Sequence, residues 1–212
     1  MITTVDVETS WQKTETGGYD PSPFHPDNIL VSVGINDEYY FTNHSERIDK
    51  GCASKIQSIL DKTTLLIGHN IKFDLMWLLE SGFKYNGRVY DTMLGEYVLN
   101  RGIRKSLTLE MSCRRRRIGS KDSRIKEFTD RGIPFQDIPV DLVEEYGRID
   151  VEITRRLFDS QMGDLKMAKN KGLLMTLKMM NEFLIVLSDM ERNGINIKLD
   201  ELSKVEKEYR AE

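Results

Sequence analysis

The sequence predicts an α/β fold, a mixed β-sheet flanked by helices, with further helices at the C-terminal end. Three observations carry this prediction. Three strand patterns fill the first 45 or so residues; helical and strand patterns then alternate; and from about Gly172 onward the pattern is wholly helical.

Taken in order, MITTVDVET alternates as a strand does, with Thr4, Asp6 and Glu8 on one face and Thr3, Val5 and Val7 on the other. A loop rich in Gly, Pro and Ser runs from Gln12 to about Asn28. ILVSVGI is almost continuously apolar and reads as a central strand, and EYYFTN reads as the next. A helix is expected over Arg47 to Asp61, then the short strand TLLIG, then a helix from about Asn70 to Gly82. VYDTMLGEYVLN passes from strand or turn into helix. After a basic segment and a loop with Pro134 and Pro139, one apolar face recurs at Leu142, Tyr146, Ile149, Ile153 and Leu157. GLLMTLKMMNEFLIVLSDMERNGINI reads as a long amphipathic helix stopped at Asn193-Gly194. A second amphipathic stretch from about Leu199 is still helical at Glu212, so the chain is expected to continue. The division predicted is 1–172 for the main domain and 173–212 for a helical connector.

With 212 residues, 39% of them hydrophobic and 31% charged, the composition is that of a soluble globular protein acting as a monomer. No basic, apolar leader opens the chain, and the longest apolar run, FLIVL at 183–187, is too short for a bilayer, so no membrane partner is expected. Cys52 and Cys113 form neither a disulfide framework nor a zinc spacing, which points to the cytoplasm, that of a host cell if the protein is viral. The net charge of −3 hides an asymmetry: Arg101 to Arg131 holds eleven Lys/Arg against four Asp/Glu, an excess of +7, leaving −10 for the rest. The run Arg114-Arg115-Arg116-Arg117 tilts this patch toward a polyanion such as a phosphate backbone, since adjacent like charges repel unless screened.

Four acids occupy core-facing positions. Asp6 and Glu8 share one side of their strand, Asp74 falls in line with Ile71, Leu75 and Leu78, and Asp150 borders the apolar face of its helix. Ionised carboxylates so placed repel one another and lose hydration, so they either raise each other's pKa or take up a cation. Oxygen-only ligands suit a hard divalent ion such as Mg²⁺ or Mn²⁺, and the scattered His25, His44 and His69 argue against zinc.

Each motif alone is weak, but strand D-x-E, then H-N-x-x-x-D, then Y-x-x-x-D on a late helix is specific in order and spacing. In these residues the chain resembles the DEDDy 3′-to-5′ exonucleases of the ribonuclease H-like fold. Asp6 and Glu8 match the first motif, Asn70 and Asp74 the second, Tyr146 and Asp150 the third; Glu145 stands where the DEDDh group has histidine. VYDTMLGEYVLN looks like the family's Asp-Thr segment, with Asp91 a supporting acid, and SLTLEMSCRRRRIGSKDSRIKEF resembles the segment after it. NEFLIVLSDMERNGINIKLDELSKVEKE is similar to the connector into the polymerase domain of family A (polymerase I-like) DNA polymerases, and a start directly at the first motif resembles bacteriophage members.

The resemblance implies two divalent cations held by Asp6, Glu8, Asp74 and Asp150, with Tyr146 orienting the attacking water, and release of nucleoside 5′-monophosphates. It implies a frayed or single-stranded DNA 3′ end as substrate, contacted by Asn70, with Phe73 and Trp77 as stacking candidates and the Arg114–Arg117 cluster, Arg114 and Arg115 included, either along the strand or against the polymerase domain. Both aromatics fit a core role at least as well. The implied partner is the polymerase domain of the same longer chain. Two alternatives stand beside this: a free-standing DEDDy ribonuclease, and a catalytically silent module that only binds DNA.

Overall fold

The structure is a computed structural model describing residues 1–120 and 124–211. Lys121-Asp122-Ser123 of the basic segment, and Glu212, where the sequence predicts the last helix still running, lie outside the described residues.

The chain opens with β1 (Ile2–Thr9), a two-stranded ribbon of β2 (Gln12–Lys13) and β3 (Tyr19–Asp20) inside the predicted loop, β4 (Leu30–Ile35) and β5 (Glu38–Phe41). Next come α1 (Cys52–Lys62), β6 (Leu65–Gly68), α2 (Ile71–Glu80), β7 (Arg88–Asp91) and α3 (Thr92–Leu99). α4 (Leu109–Arg116), α5 (Arg124–Asp130), α6 (Val140–Leu165), α7 (Lys171–Asn193) and α8 (Leu199–Ala211) complete it. The sheet order is β5-β4-β1-β6-β7. β4 pairs antiparallel with both β5 and β1, whereas β6 pairs parallel with β1 and β7, which makes the sheet mixed as the sequence predicts.

The alternation of β1 divides the molecule. Val5 and Val7 turn into a core with Ile56 and Leu60 of α1 and Ile71, Leu75 and Leu78 of α2. Thr4, Asp6 and Glu8 turn the other way, toward the side covered by α6. The close approach of α6 depends on two glycines: a Cβ on Gly34 would lie 2.8 Å from Val151 Cγ2, and one on Gly147 would lie 2.4 Å from the Tyr39 ring. The row of α6 pressed to the sheet is therefore Gly147, Asp150, Val151 and Thr154. The predicted apolar face at Ile153 and Leu157 instead packs on Leu109 and Cys113 of α4.

One predicted boundary moves. Residues 47–50 stay out of α1 because Asp49 is used in a turn, its Oδ2 accepting from Phe41 N at 2.9 Å and its carbonyl from Cys52 N at 3.2 Å. α7 ends as expected at Gly194, whose φ of 66° favours glycine. It lies against β7, α2 and α3, burying Leu177 and Leu184, while α8 has every described side chain exposed. Among the described residues no helix is long and apolar enough to cross a membrane.

Candidate active site

Strand lengths create the site. β6 pairs with β1 only from Ile2 to Thr4, so beyond Thr4 that edge of β1 has lost its neighbour. The freed Val7 N–H is taken by Asp74 Oδ1 at 3.0 Å, which places the first turn of α2 against the middle of the D-x-E strand. Asp74 is 3% exposed, and burial first, then the nearby Asp6 carboxylate, push its pKa well above the usual carboxylate range; the Val7 N–H opposes this.

Asp6 pairs in register with Gly34, and Glu8 with Ser32. Tyr39, one strand further, pairs with Gly34 and shares a 2.8 Å hydrogen bond between its Oη and Ser32 Oγ. Burial, then Glu8, raise the Tyr39 pKa well above its ordinary value; Asp6 adds to this, so both acids act on the side where α6 lies. Asp150 stands on that helix beside Val151, the residue seated on Gly34, and is 2% exposed; Glu8 is 8% exposed and Asp6 half-buried. Tyr146, one turn earlier, is half-buried with its ring 6.1 Å from that of Phe135, which in turn meets Trp11 at 5.8 Å.

Asn70 is exposed and starts α2 in the left-handed region at φ 64°, ψ 44°. That conformation is strained for a residue with a Cβ, mildly so for Asn. It is held by Asp91, whose Oδ1 accepts from Asn70 N at 2.9 Å and from Met93 N at 2.8 Å, capping α3 as well. Asp91 is thus a supporting residue in the literal sense, and burial raises its pKa to about 6 against several backbone N–H groups that lower it.

Four acids are therefore carried to one end of β1 by β1, α2 and α6. As donors they suit a hard divalent ion, since all are oxygen ligands and burial beside Asp6 makes the ionised form of Asp74 costly. Yet among the described residues no three acidic, histidine or cysteine side chains converge closely enough to hold an ion as they stand. Placement and chemistry fit; the side-chain convergence is not present.

The expected substrate contacts divide. Phe73 is half-buried, beside the site on α2. Trp77 is corrected to a core residue: it is 3% exposed and its indole N–H donates to Pro21 O at 3.1 Å, leaving no ring face open to a base. Arg114 is exposed. Arg115 is not free for a strand in the way expected, because it binds Glu96 Oε2 at 3.1 Å and Ser106 O at 2.7 Å; Arg116 joins Glu96 Oε1 at 2.5 Å and Asp164 Oδ2 at 2.7 Å. Sequence reading missed Tyr39, Trp11, Phe135 and Glu96. A period-2 count would have put Tyr39 on the acid-bearing face; nothing in the sequence pairs Glu96 with arginines about twenty positions away.

The mixed five-stranded sheet flanked by helices is similar to the fold of the ribonuclease H-like exonucleases. The chain belongs to the 3′-5′ exonuclease family, whose model matches residues 13–165, beginning just after Asp6 and Glu8. It is 27% identical over 186 residues to DNA polymerase I of Borreliella burgdorferi, a match covering 86% of this chain and 20% of that protein, so the chain spans about a fifth of the relative's length. The fold is similar to Brucella melitensis NrnC with bound Mg²⁺ at TM-score 0.65 and 18% identity, covering 91% of this chain and 86% of that one. It is also similar to the catalytic core of RRP6 from Trypanosoma brucei, at TM-score 0.57 and 12% identity, covering 86% and 45%.

Proposed function

We propose that this chain is the proofreading DEDDy exonuclease part of a bacteriophage DNA polymerase, removing nucleoside 5′-monophosphates from single-stranded or frayed DNA 3′ ends. The observation that carries the nuclease reading is the Asp74–Val7 contact, which brings the second-motif acid onto the strand of the first. The match to a DNA polymerase I supports the polymerase setting.

Asp6, Glu8, Asp74 and Asp150 would hold two divalent ions, Mg²⁺ or Mn²⁺, which when bound supply Lewis-acid stabilisation of the charge that develops on the phosphoryl oxygens. The rest belongs to the chain. Tyr146 orients the attacking water through its hydroxyl, a positioning role, since a phenol of ordinary pKa about 10 is a poor base at neutral pH. Asn70, exposed and held in one conformation by Asp91, contacts the terminal nucleotide. Phe73 stacks on a base. The half-buried site admits a splayed end and excludes a duplex.

A second reading, a free-standing ribonuclease, is favoured by one observation: the likeness to NrnC covers nearly all of both chains. Side-by-side digestion of 3′-mismatched primers, matched primers and RNA of the same sequence separates the two. Faster loss of mismatched DNA ends supports proofreading; faster loss of RNA overturns it.

A further inference from the structure

The far end of α6 holds a second charged feature. A cavity of about 470 Å³ opens between the end of α3, α4 and the last turn of α6. Five cations line it, Arg101, Lys105, Arg115, Arg116 and Lys169, against two carboxylates, Glu96 and Asp164, so three positive charges are left over in a chain whose net charge is −3. Glu96 is shared between Arg115 and Arg116, and Arg101 Nη2 is oriented by Asn170 Oδ1 at 2.6 Å. The lining also includes Asn100, whose buried Nδ2 finds no acceptor among the described residues. A concave wall of excess donors with one left unsatisfied calls for a ligand made of acceptors and negative charge, which describes a phosphodiester. The arginine-lined cleft along the middle of α6 differs, since Arg148, Arg155 and Arg156 each already pair with a carboxylate of their own helix.

The cavity is also connected to the candidate active site. Asp164 lies fourteen residues beyond Asp150 on one helix, which is about 21 Å. The segment 101–108 runs from the cavity back to the site, where Leu107 O lies 2.8 Å from His69 Nε2, beside Asn70. We propose that this cavity holds backbone phosphates of the same single strand whose 3′ end enters the carboxylate site. The choice of ligand rests on the exonuclease reading, but the test does not.

The test is fluorescence anisotropy with the full chain in metal-free buffer, using 5′-labelled oligothymidylates of 3 and 16 nucleotides. Three stacked nucleotides cover only about 10 Å and cannot reach both places. Lys105→Glu/Lys169→Glu, at two exposed positions, should weaken 16-mer binding about tenfold at low salt. It should also flatten the salt dependence by about 1.4, the slope of two phosphate contacts on a single strand, and change 3-mer binding less than twofold. Lys50→Glu/Lys84→Glu, the same charge change on exposed lysines elsewhere, should change 16-mer binding less than twofold. Equal losses in the two double variants, or at the two lengths, overturn the proposal. So does unaltered 16-mer binding together with thermal stabilisation by inorganic phosphate that only Lys105→Glu/Lys169→Glu removes, which assigns the cavity to the free anion. Length-dependent binding lost in that variant, in a protein that digests nothing, keeps this proposal and sinks the nuclease reading.

Discussion

Two charged regions along α6, around Asp150 in its middle and Asp164 at its end, are arranged differently. Around Asp150 the structure gathers acids: Asp74 accepts from a backbone N–H, and the nearby Asp6 carboxylate raises its pKa. Around Asp164 it assembles arginines with carboxylates, and Glu96, 3% exposed, binds two of them. In the first region one acid presses on another, the Asp6 carboxylate raising the pKa of Asp74; in the second, arginines meet carboxylates, with a surplus of cations at the rim.

The comparison breaks most sharply if the acids turn out to be dispensable. Asp6→Ala/Glu8→Ala should lower metal-dependent release of nucleotides from a 3′-labelled single strand by about 10³-fold or more, the scale of losing several kcal/mol of metal-ion stabilisation, with an unchanged circular dichroism spectrum. Next in size is the opposite region. Glu96→Ala leaves the partly buried Arg115 without its carboxylate and Arg116 with Asp164 alone, and should cost about 3 kcal/mol in urea unfolding, whereas loss below 1 kcal/mol would mean the arginines are solvated.

A third effect is a pH dependence. The Asp91 pKa rises from the ordinary 3.8 to about 6 on folding, so the folded state holds its proton more tightly than the unfolded chain. Its contribution is complete below about pH 4 and is lost as pH rises through about 6, a change of about 3 kcal/mol at the usual 1.4 per pH unit. Asp91→Asn keeps an acceptor for Asn70 N and Met93 N and should flatten the stability profile between pH 4 and 6; an unchanged profile would show that Asp91 does not titrate there. Smaller again, Asp74→Asn removes a buried charge while keeping an acceptor for Val7 N. It should raise the metal-free melting temperature at pH 8 by about 2–4 °C, and a fall would mean the carboxylate is already neutralised. Smallest, Trp77→Phe should cost about 1 kcal/mol by losing the Pro21 hydrogen bond, and leave digestion within twofold.

Much of this was legible in the sequence because it depends on local period. The faces of β1, the inward placement of Asp74 and the stop at Gly194 follow from spacing two, spacing three or four, and one glycine. What was not legible depends on partners far along the chain. The sheet-facing row of α6 is Gly147, Asp150, Val151 and Thr154, mostly polar or without a side chain, and it lies close to the sheet because Gly34 and Gly147 leave room for Val151 and Tyr39. The four arginines read as a polyanion site because the partners of two of them, Glu96 and Asp164 beside Arg115 and Arg116, arrive only through tertiary packing. Trp77 is fixed by the carbonyl of Pro21, inside a loop with no periodicity to read.

The central claim is that the acids of β1, α2 and α6 form one divalent-ion site, and Mn²⁺ titration followed by calorimetry tests it without reference to cleavage. The account predicts saturable binding of two ions per chain, with accompanying thermal stabilisation, both lost in Asp6→Ala/Glu8→Ala. Saturable binding that survives in that variant, or none in the wild-type chain, would contradict it.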